Sequence, residues 1–129
     1  MHHAARDRYL STEVATMSPA QTIVALYRRI ATLGNQALVA FERGDVAYRT
    51  DRLDRAQQVL WALTEMLDAE QGGEIAANLD ALYAFCRAEL LAAQVRREPQ
   101  RIRTVLATLA PLAEAWEQVA QPAVAVSAA

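Results

Sequence analysis

Residues 67–90 read L-D-A-E-Q-G-G-E-I-A-A-N-L-D-A-L-Y-A-F-C-R-A-E-L, and this stretch decides the fold. Two adjacent glycines interrupt it. Gly72 is predicted to take the left-handed conformation that closes a helix, and Gly73 to stand at the entry to the next helix. Beyond the glycines, apolar side chains recur at intervals of three and four residues, which places them on one face of a long amphipathic helix. They are Ile75, Leu79, Leu82, Tyr83, Cys86 and Leu90.

Two further helices are predicted before this one. The first begins at residues 18–21, where Ser-Pro-Ala-Gln has the pattern of an N-terminal capping box, and it ends at residues 43–44, Arg-Gly. The second begins near Asp45, or after an irregular turn at residues 50–51. Each carries apolar residues at helical spacing and therefore has one face to bury.

A fourth helix is predicted after the Glu98-Pro99 pair, because proline is favoured at a first helical position. Glu98 is a poorer cap than an aspartate would be. Pro111 lies inside this helix and removes one backbone donor, so we predict a bend or a widened turn around residues 107–111.

Four amphipathic helices with short connections can bury their apolar faces only against one another. The predicted fold class is therefore all-α, an antiparallel four-helix bundle. We predict an N-terminal arm at residues 1–17, the bundle domain at residues 18–120 and a short disordered C-terminal tail at residues 121–129, where the sequence is of low complexity.

Composition excludes several classes of function. The net charge of −2 favours neither nucleic acid nor anionic lipid as a partner, and no apolar run is long enough for membrane insertion. There is no histidine after His3, and no phosphate-binding loop, catalytic triad or metal-ligand spacing, so we expect no enzyme activity, cofactor or metal. The single cysteine, Cys86, lies on the apolar face and is predicted to be a buried, inert thiol, compatible with a reducing cytoplasm.

The motif around the glycine pair resembles a known family. Residues 67–83 match L-D-x-E-x-G-G-E-I-A-x-N-L-x-x-L-Y, which is similar to the central motif of the FliS family, the bacterial flagellin secretion chaperones. Tyr9, Val14 and residues 16–19 resemble the family's Y…V-x-T-x-S-P entry. Where the family usually has Asp-Gly after its Leu-Tyr, this chain has Arg28 and Arg29. The resemblance covers residues 9–118.

The resemblance implies a cytoplasmic chaperone whose partners are the disordered C-terminal segment of flagellin and a component of the flagellar export gate. Such a chaperone prevents premature polymerisation and delivers flagellin to the flagellar type III export apparatus, and its N-terminal arm covers part of the binding site in the free protein. The alternative is a structural or adaptor bundle that associates with itself, burying Trp61 and Phe85 in a homodimer.

Seven side chains are candidates for partner binding. Trp61 shares its side of the second helix with polar residues and is predicted to be exposed, as are Phe85, Leu91 and Val95, which lie away from the centre of the buried stripe. Asn78 is either a boundary amide bonded within the bundle or a group that faces a bound peptide backbone, and the two candidate tyrosines are either core aromatics or ligand contacts. The candidates are Tyr9, Val14, Tyr27, Trp61, Asn78, Tyr83 and Phe85.

Overall fold

A computed structural model describes residues 17–121 as four α-helices. They are α1 (Pro19–Arg43), α2 (Val46–Glu65), α3 (Ala69–Arg96) and α4 (Gln100–Ala120). Each helix packs extensively against its neighbours in the chain, and α1 packs against α4, so the helices form a closed ring in chain order. The all-α four-helix bundle is thereby confirmed. The predicted arm (residues 1–16 of it) and residues 122–129 of the tail lie outside the described residues.

Local sequence signals set the start and end of α1. The Gln21 N–H donates to Ser18 Oγ at 3.1 Å, and the Ser18 N–H donates to Gln21 Oε1 at 2.9 Å, which completes the predicted capping box. At the other end Gly44 has φ 68°, a left-handed conformation that closes the helix. Both ends of α1 are confirmed.

Asp45 is the N-cap of α2, and its Oδ1 accepts a hydrogen bond from the Tyr48 N–H at 3.0 Å. The start near Asp45 is therefore confirmed, whereas the alternative start after residues 50–51 is wrong, because α2 is helical through them. α2 ends at Glu65, and three residues connect it to α3.

The break predicted at Gly72 falls one residue later. Asp68 caps a first helical turn by accepting from the backbone N–H groups of Glu70 and Gln71, both at 3.1 Å. Gly72 stays in this turn and donates its N–H to the Asp68 carbonyl at 2.7 Å. The chain breaks at Gly73, where φ is 53° and ψ is −124°. The prediction that Gly72 takes the left-handed conformation is wrong, because the aspartate cap comes before both glycines.

Ile75 also departs from the prediction, since 70% of it is exposed. The buried residues of α3 are Ala76, Tyr83, Cys86, Leu90 and Ala93, so in the first turn after the glycines Ala76 takes the buried position in place of Ile75. One residue corresponds to about 100° of rotation, which turns Ile75 toward the rim of the bundle. The remaining members of the predicted stripe are buried or half-buried.

α4 begins at Gln100, and Pro99 before it already has helical angles, with φ −61° and ψ −22°. No side chain caps this helix. α4 runs through Pro111 as one continuous helix, and the bend or widened turn around residues 107–111 stays a prediction. No helix within residues 17–121 is long and apolar enough to cross a membrane.

Candidate protein-binding surfaces

α3 carries a second apolar stripe on the side that faces away from the bundle. Its members alternate at intervals of four and three residues, the spacing by which helices pack along a shared seam. All are exposed and none is charged: they are Ala77, Ala81, Ala84, Ala88, Leu91 and Val95. We call these six residues the α3 outer stripe. It extends for about 27 Å along the helix.

The α3 outer stripe combines small residues with large apolar ones. Leu91 is 59% exposed and Val95 is 72% exposed, and Phe85, at 46%, lies along one edge of the stripe. The four alanines allow the backbone of another helix to approach closely, and the larger side chains supply area to bury. No element within residues 17–121 covers the stripe, so it has the character of a helix-binding face.

Trp61 is not exposed as predicted but half-buried. The guanidinium of Arg87, on α3, lies over its ring with Arg87 Cζ 3.7 Å from the ring centroid. Arg87 is held there because its Nη1 donates to Thr64 Oγ1 at 2.7 Å. The prediction failed because a side chain from the neighbouring helix covers the ring, and a pattern along α2 alone cannot show that contact. The partial burial lowers the pKa of Arg87.

Asn78 and Phe85 are both exposed, one heptad apart on the α4 side of α3. Within residues 17–121 Asn78 makes no hydrogen bond across the bundle, so the boundary-amide interpretation is not supported there. Phe85 and Arg87 are two residues apart and therefore point to opposite sides of α3. A single flat contact cannot bury Phe85 and Trp61 together.

Tyr27 and Tyr83 belong to the core. They are 3% and 2% exposed, and their hydroxyl oxygens are 2.7 Å apart across the α1–α3 diagonal of the bundle. Burial raises the pKa of both phenols; for Tyr27, the hydrogen bond with Tyr83 and the nearby Trp116 oppose the rise. Each ring nevertheless forms part of a cavity wall, Tyr83 at the α2–α3 turn and Tyr27 at the α1–α4 contact. Tyr9 and Val14, the other two candidates, lie outside the described residues.

The turn between α2 and α3 bounds a cavity of about 310 Å³, which we call the turn cavity. Its walls are mainly apolar, with Asp68 and Gln71 as polar residues, and they come from all four helices. Ile75, exposed at the rim, is one of the wall residues. The apolar side chains are Ile23, Leu63, Met66, Leu67, Ile75, Ala76, Leu79 and Trp116.

Two more cavities lie in line along the contact between α1 and α4, which we call the α1–α4 seam. The terminal seam cavity, about 470 Å³, is lined by Met17, Gln21, Val24, Ala25, Arg28, Glu117, Ala120 and Gln121. The central seam cavity, about 250 Å³, is lined by Tyr27, Arg28, Ile30, Ala31, Leu106, Leu109, Ala110, Ala113 and Glu114. Arg28 belongs to both.

None of these surfaces has the composition of a catalytic or metal site. Residues 17–121 contain no group of three or more His, Cys, Asp or Glu side chains that could hold a metal ion. Cys86 is fully buried, and burial raises its pKa to about 11, so the thiol is protonated at neutral pH. What the described surface offers is apolar grooves, which suit protein segments.

Comparison with known proteins also indicates a protein that binds other proteins and is not an enzyme. A family model described as "Flagellar protein FliS" matches residues 1–123. The chain belongs to the FliS family. It is similar to the flagellar secretion chaperone FliS of Salmonella typhimurium, at 37% identity over 117 residues that cover 88% of this chain and 87% of the relative. It is also 30% identical to the flagellar secretion chaperone FliS of Campylobacter jejuni, over 92% of both chains. For FliS of Vibrio cholerae the identity is 26%, over 85% of this chain and 81% of the relative.

FliS proteins are chaperones of flagellar secretion and not enzymes, so the chain is a chaperone in flagellar export. The sequence predicts Phe85, Leu91 and Val95 as exposed apolar side chains, but not the stripe to which two of them belong, because its other four members are alanines. The alternating spacing of four and three residues indicates the stripe in the sequence itself, at residues 77, 81, 84, 88, 91 and 95. At Arg28 the sequence shows only a departure from the family pattern.

Proposed function

We propose that this FliS-family chain acts in the cytoplasm, where it binds the disordered C-terminal segment of flagellin, prevents its premature polymerisation and delivers it to the export gate of the flagellar type III apparatus. The α3 outer stripe is the observation that carries the proposal. The stripe is an uncharged apolar surface that a helix could cover, and no helix in the described part of the chain covers it.

A disordered segment that folds on contact suits such a stripe. Flagellin residues that form an amphipathic helix would pack their apolar face along the α3 outer stripe, with their backbone close to its four alanines. Ordering the segment takes part of the gross interaction energy, so we expect moderate affinity, a gain in helicity and a negative heat-capacity change. While they are bound, these flagellin residues are not accessible to a second flagellin subunit.

Calorimetry with a C-terminal fragment of the cognate flagellin tests the proposal. We expect one-to-one binding, and circular dichroism of the mixture should show more helix than the sum of the two components. Leu91→Glu should weaken binding by about tenfold or more, because burying a leucine contributes about 1.5–3 kcal/mol. Val46→Glu is the matched control, since Val46 is an exposed apolar residue (55%) on α2, outside the stripe.

A second substitution separates close helix packing from general hydrophobicity. Ala84→Leu enlarges the apolar surface but fills the space that an approaching backbone needs. If a helix packs on the stripe, binding weakens; if the client merely covers apolar area, binding is unchanged or tighter. Delivery is tested in cells, where Leu91→Glu should lower the amount of flagellin found in the medium.

Two results would refute the proposal. One is the absence of binding at tens of micromolar with the correct flagellin. The other is a mass that rises with protein concentration when no flagellin is present, with the rise abolished by Leu91→Glu. The second result would assign the stripe to a homodimer and favour the self-associating bundle.

A further inference from the structure

We propose that the α1–α4 seam is a second binding groove for a helix of the client, and that Arg28 is a specificity-determining residue in it, selecting clients with an acidic side chain at the point where they cross Arg28. This inference rests on the proposed function, because it takes the flagellin segment as the occupant. It concerns the face of the bundle formed by α1 and α4, which lies opposite the face formed by α2 and α3, and therefore a surface separate from the outer stripe.

The first observation is the shape of the seam. Its two cavities follow one another between the same pair of helices, and their walls on α1 run from Gln21 to Ala31, a distance of about 15 Å along the helix. The central seam cavity is walled by apolar side chains such as Ile30, Leu106 and Leu109. A groove of this length and composition accommodates about three turns of an amphipathic helix.

The second observation is the ion pair that crosses the groove between the cavities. Arg28 Nη2, from α1, lies 3.4 Å from Glu117 Oε1, from α4. The two side chains are 69% and 43% exposed, so the pair contributes little to stability and its members exchange partners readily. A helix lying in both cavities would have to displace this pair.

The third observation is the charge on the two rims. Arg28 gives the α1 rim a positive charge, and Glu114 and Glu117 give the α4 rim negative charges. A client helix that displaces the pair leaves Arg28 without its carboxylate unless the client supplies one. Because arginine and carboxylate form strong, directional pairs when shielded from water, the position facing Arg28 discriminates between acidic and other client side chains. The rim charges also favour one orientation, with the acidic side of the client helix on α1.

Charge reversal at Arg28 tests the selection. Arg28→Glu should weaken binding of the cognate flagellin C-terminal fragment by about tenfold or more, since the client carboxylate would then face a like charge. Arg55→Glu is the matched control. Arg55 also belongs to an exposed ion pair, with Asp51, and its reversal changes the net charge by the same amount, but it lies on α2. This control should bind within about twofold of the unmodified chain.

Compensation identifies the client residue. In a scan of single Asp→Lys and Glu→Lys substitutions in the flagellin fragment, we expect one that weakens binding to the unmodified chain and restores it to Arg28→Glu. Glu117→Gln should strengthen binding modestly, by about two- to threefold, because Arg28 is then released from its partner in the free protein.

A fluorescent label reports occupation of the seam directly. Ala31→Cys places a thiol on the wall of the central seam cavity, and Cys86 does not compete for the label because it is fully buried. An environment-sensitive dye at position 31 should shift on addition of the flagellin fragment, whereas the same dye on Ala47→Cys, in the first turn of α2, should not.

The outcomes are distinct. If the unmodified chain does not bind the fragment, the proposed function fails. If it binds, but Arg28→Glu and Arg55→Glu behave alike and no client substitution compensates, the inference about Arg28 is refuted while the proposed function stands. If the dye at position 31 shifts with protein concentration alone, the seam is occupied by a second copy of the chain, and the groove assignment is wrong.

Discussion

The hydroxyl pair of Tyr27 and Tyr83 gives a sharp test of how the core is held together. The two oxygens are 2.7 Å apart and both rings are almost fully buried, so neither hydroxyl can replace its partner with bulk water. Trp116 also stabilises the Tyr27 oxygen and lowers its pKa, whereas Tyr83 has only the tyrosine pair. The two single substitutions to phenylalanine should therefore differ.

Tyr27→Phe leaves the Tyr83 hydroxyl without its partner, and a buried unsatisfied hydroxyl costs about 1–3 kcal/mol. Tyr83→Phe leaves Tyr27 with Trp116, so the loss is that of one hydrogen bond, about 1 kcal/mol. In the double variant both hydroxyls are gone and the total loss should be about 1 kcal/mol, less than the sum of the singles. The expected coupling energy is about 1–3 kcal/mol.

Urea unfolding, followed by circular dichroism at a helical wavelength, measures the free energy of unfolding of the unmodified chain, the two single variants and the double variant. Equal m-values show that the four unfolded states are comparable. Additive losses, or equal losses from the two single substitutions, would refute the reasoning.

The same variants test how the raised pKa values of the two phenols affect stability. Both phenols have a pKa raised above the ordinary value of 10.0, so the folded state retains protons that the unfolded state loses. The contribution of the two phenols to the unfolding free energy should be fully present below pH 10 and should be lost as the pH rises above it. The loss of stability at high pH should therefore be smaller in the double variant.

Four other substitutions or modifications test the backbone and the thiol. Gly73→Ala should lower the unfolding free energy by about 2 kcal/mol, because φ 53° with ψ −124° is accessible to glycine alone; urea unfolding measures it. Arg97→Gly should raise it by about 1 kcal/mol in the same assay, since Arg97 has a positive φ of 56°. Pro111→Ala should be neutral or raise it by about 1 kcal/mol, as it restores a donor for the helix, and a loss above that would show that proline is used for packing. Cys86, with a pKa of about 11 and no exposure, should react with a thiol reagent at pH 8 in urea but not in the native state.

The sequence predicted those features of the fold that depend on neighbouring residues. The capping box at Ser18 and the left-handed Gly44 are local, because each is completed by atoms three or four positions away. The break at the glycine pair was placed one residue early because Asp68, not Gly72, decides where the first turn begins. Local signals thus locate an element but leave its first turn uncertain when two caps compete.

The surfaces were harder to predict because they depend on contacts between helices. Trp61 is covered by Arg87, which lies twenty-six positions later in the chain and on another helix. The seam cavities depend on small residues of α4, such as Ala110 and Ala113, opposite Ile30 and Ala31 of α1. No periodicity along either helix alone reveals that space. Phe85, Leu91 and Val95 were predicted correctly, because a helical wheel is enough to turn them away from the core.

The ring of helices has a consequence for the folding pathway. Three of its four contacts join helices that follow one another, so each can form as a local hairpin with a short loop to close. The contact between α1 and α4 joins the two ends of the domain and carries the largest loop-closure entropy. We therefore expect it to form last on folding and to open first on unfolding. A client helix lying across that contact would act on the unfolding rate more than on the folding rate, and would make the bound chaperone kinetically longer-lived than the free one.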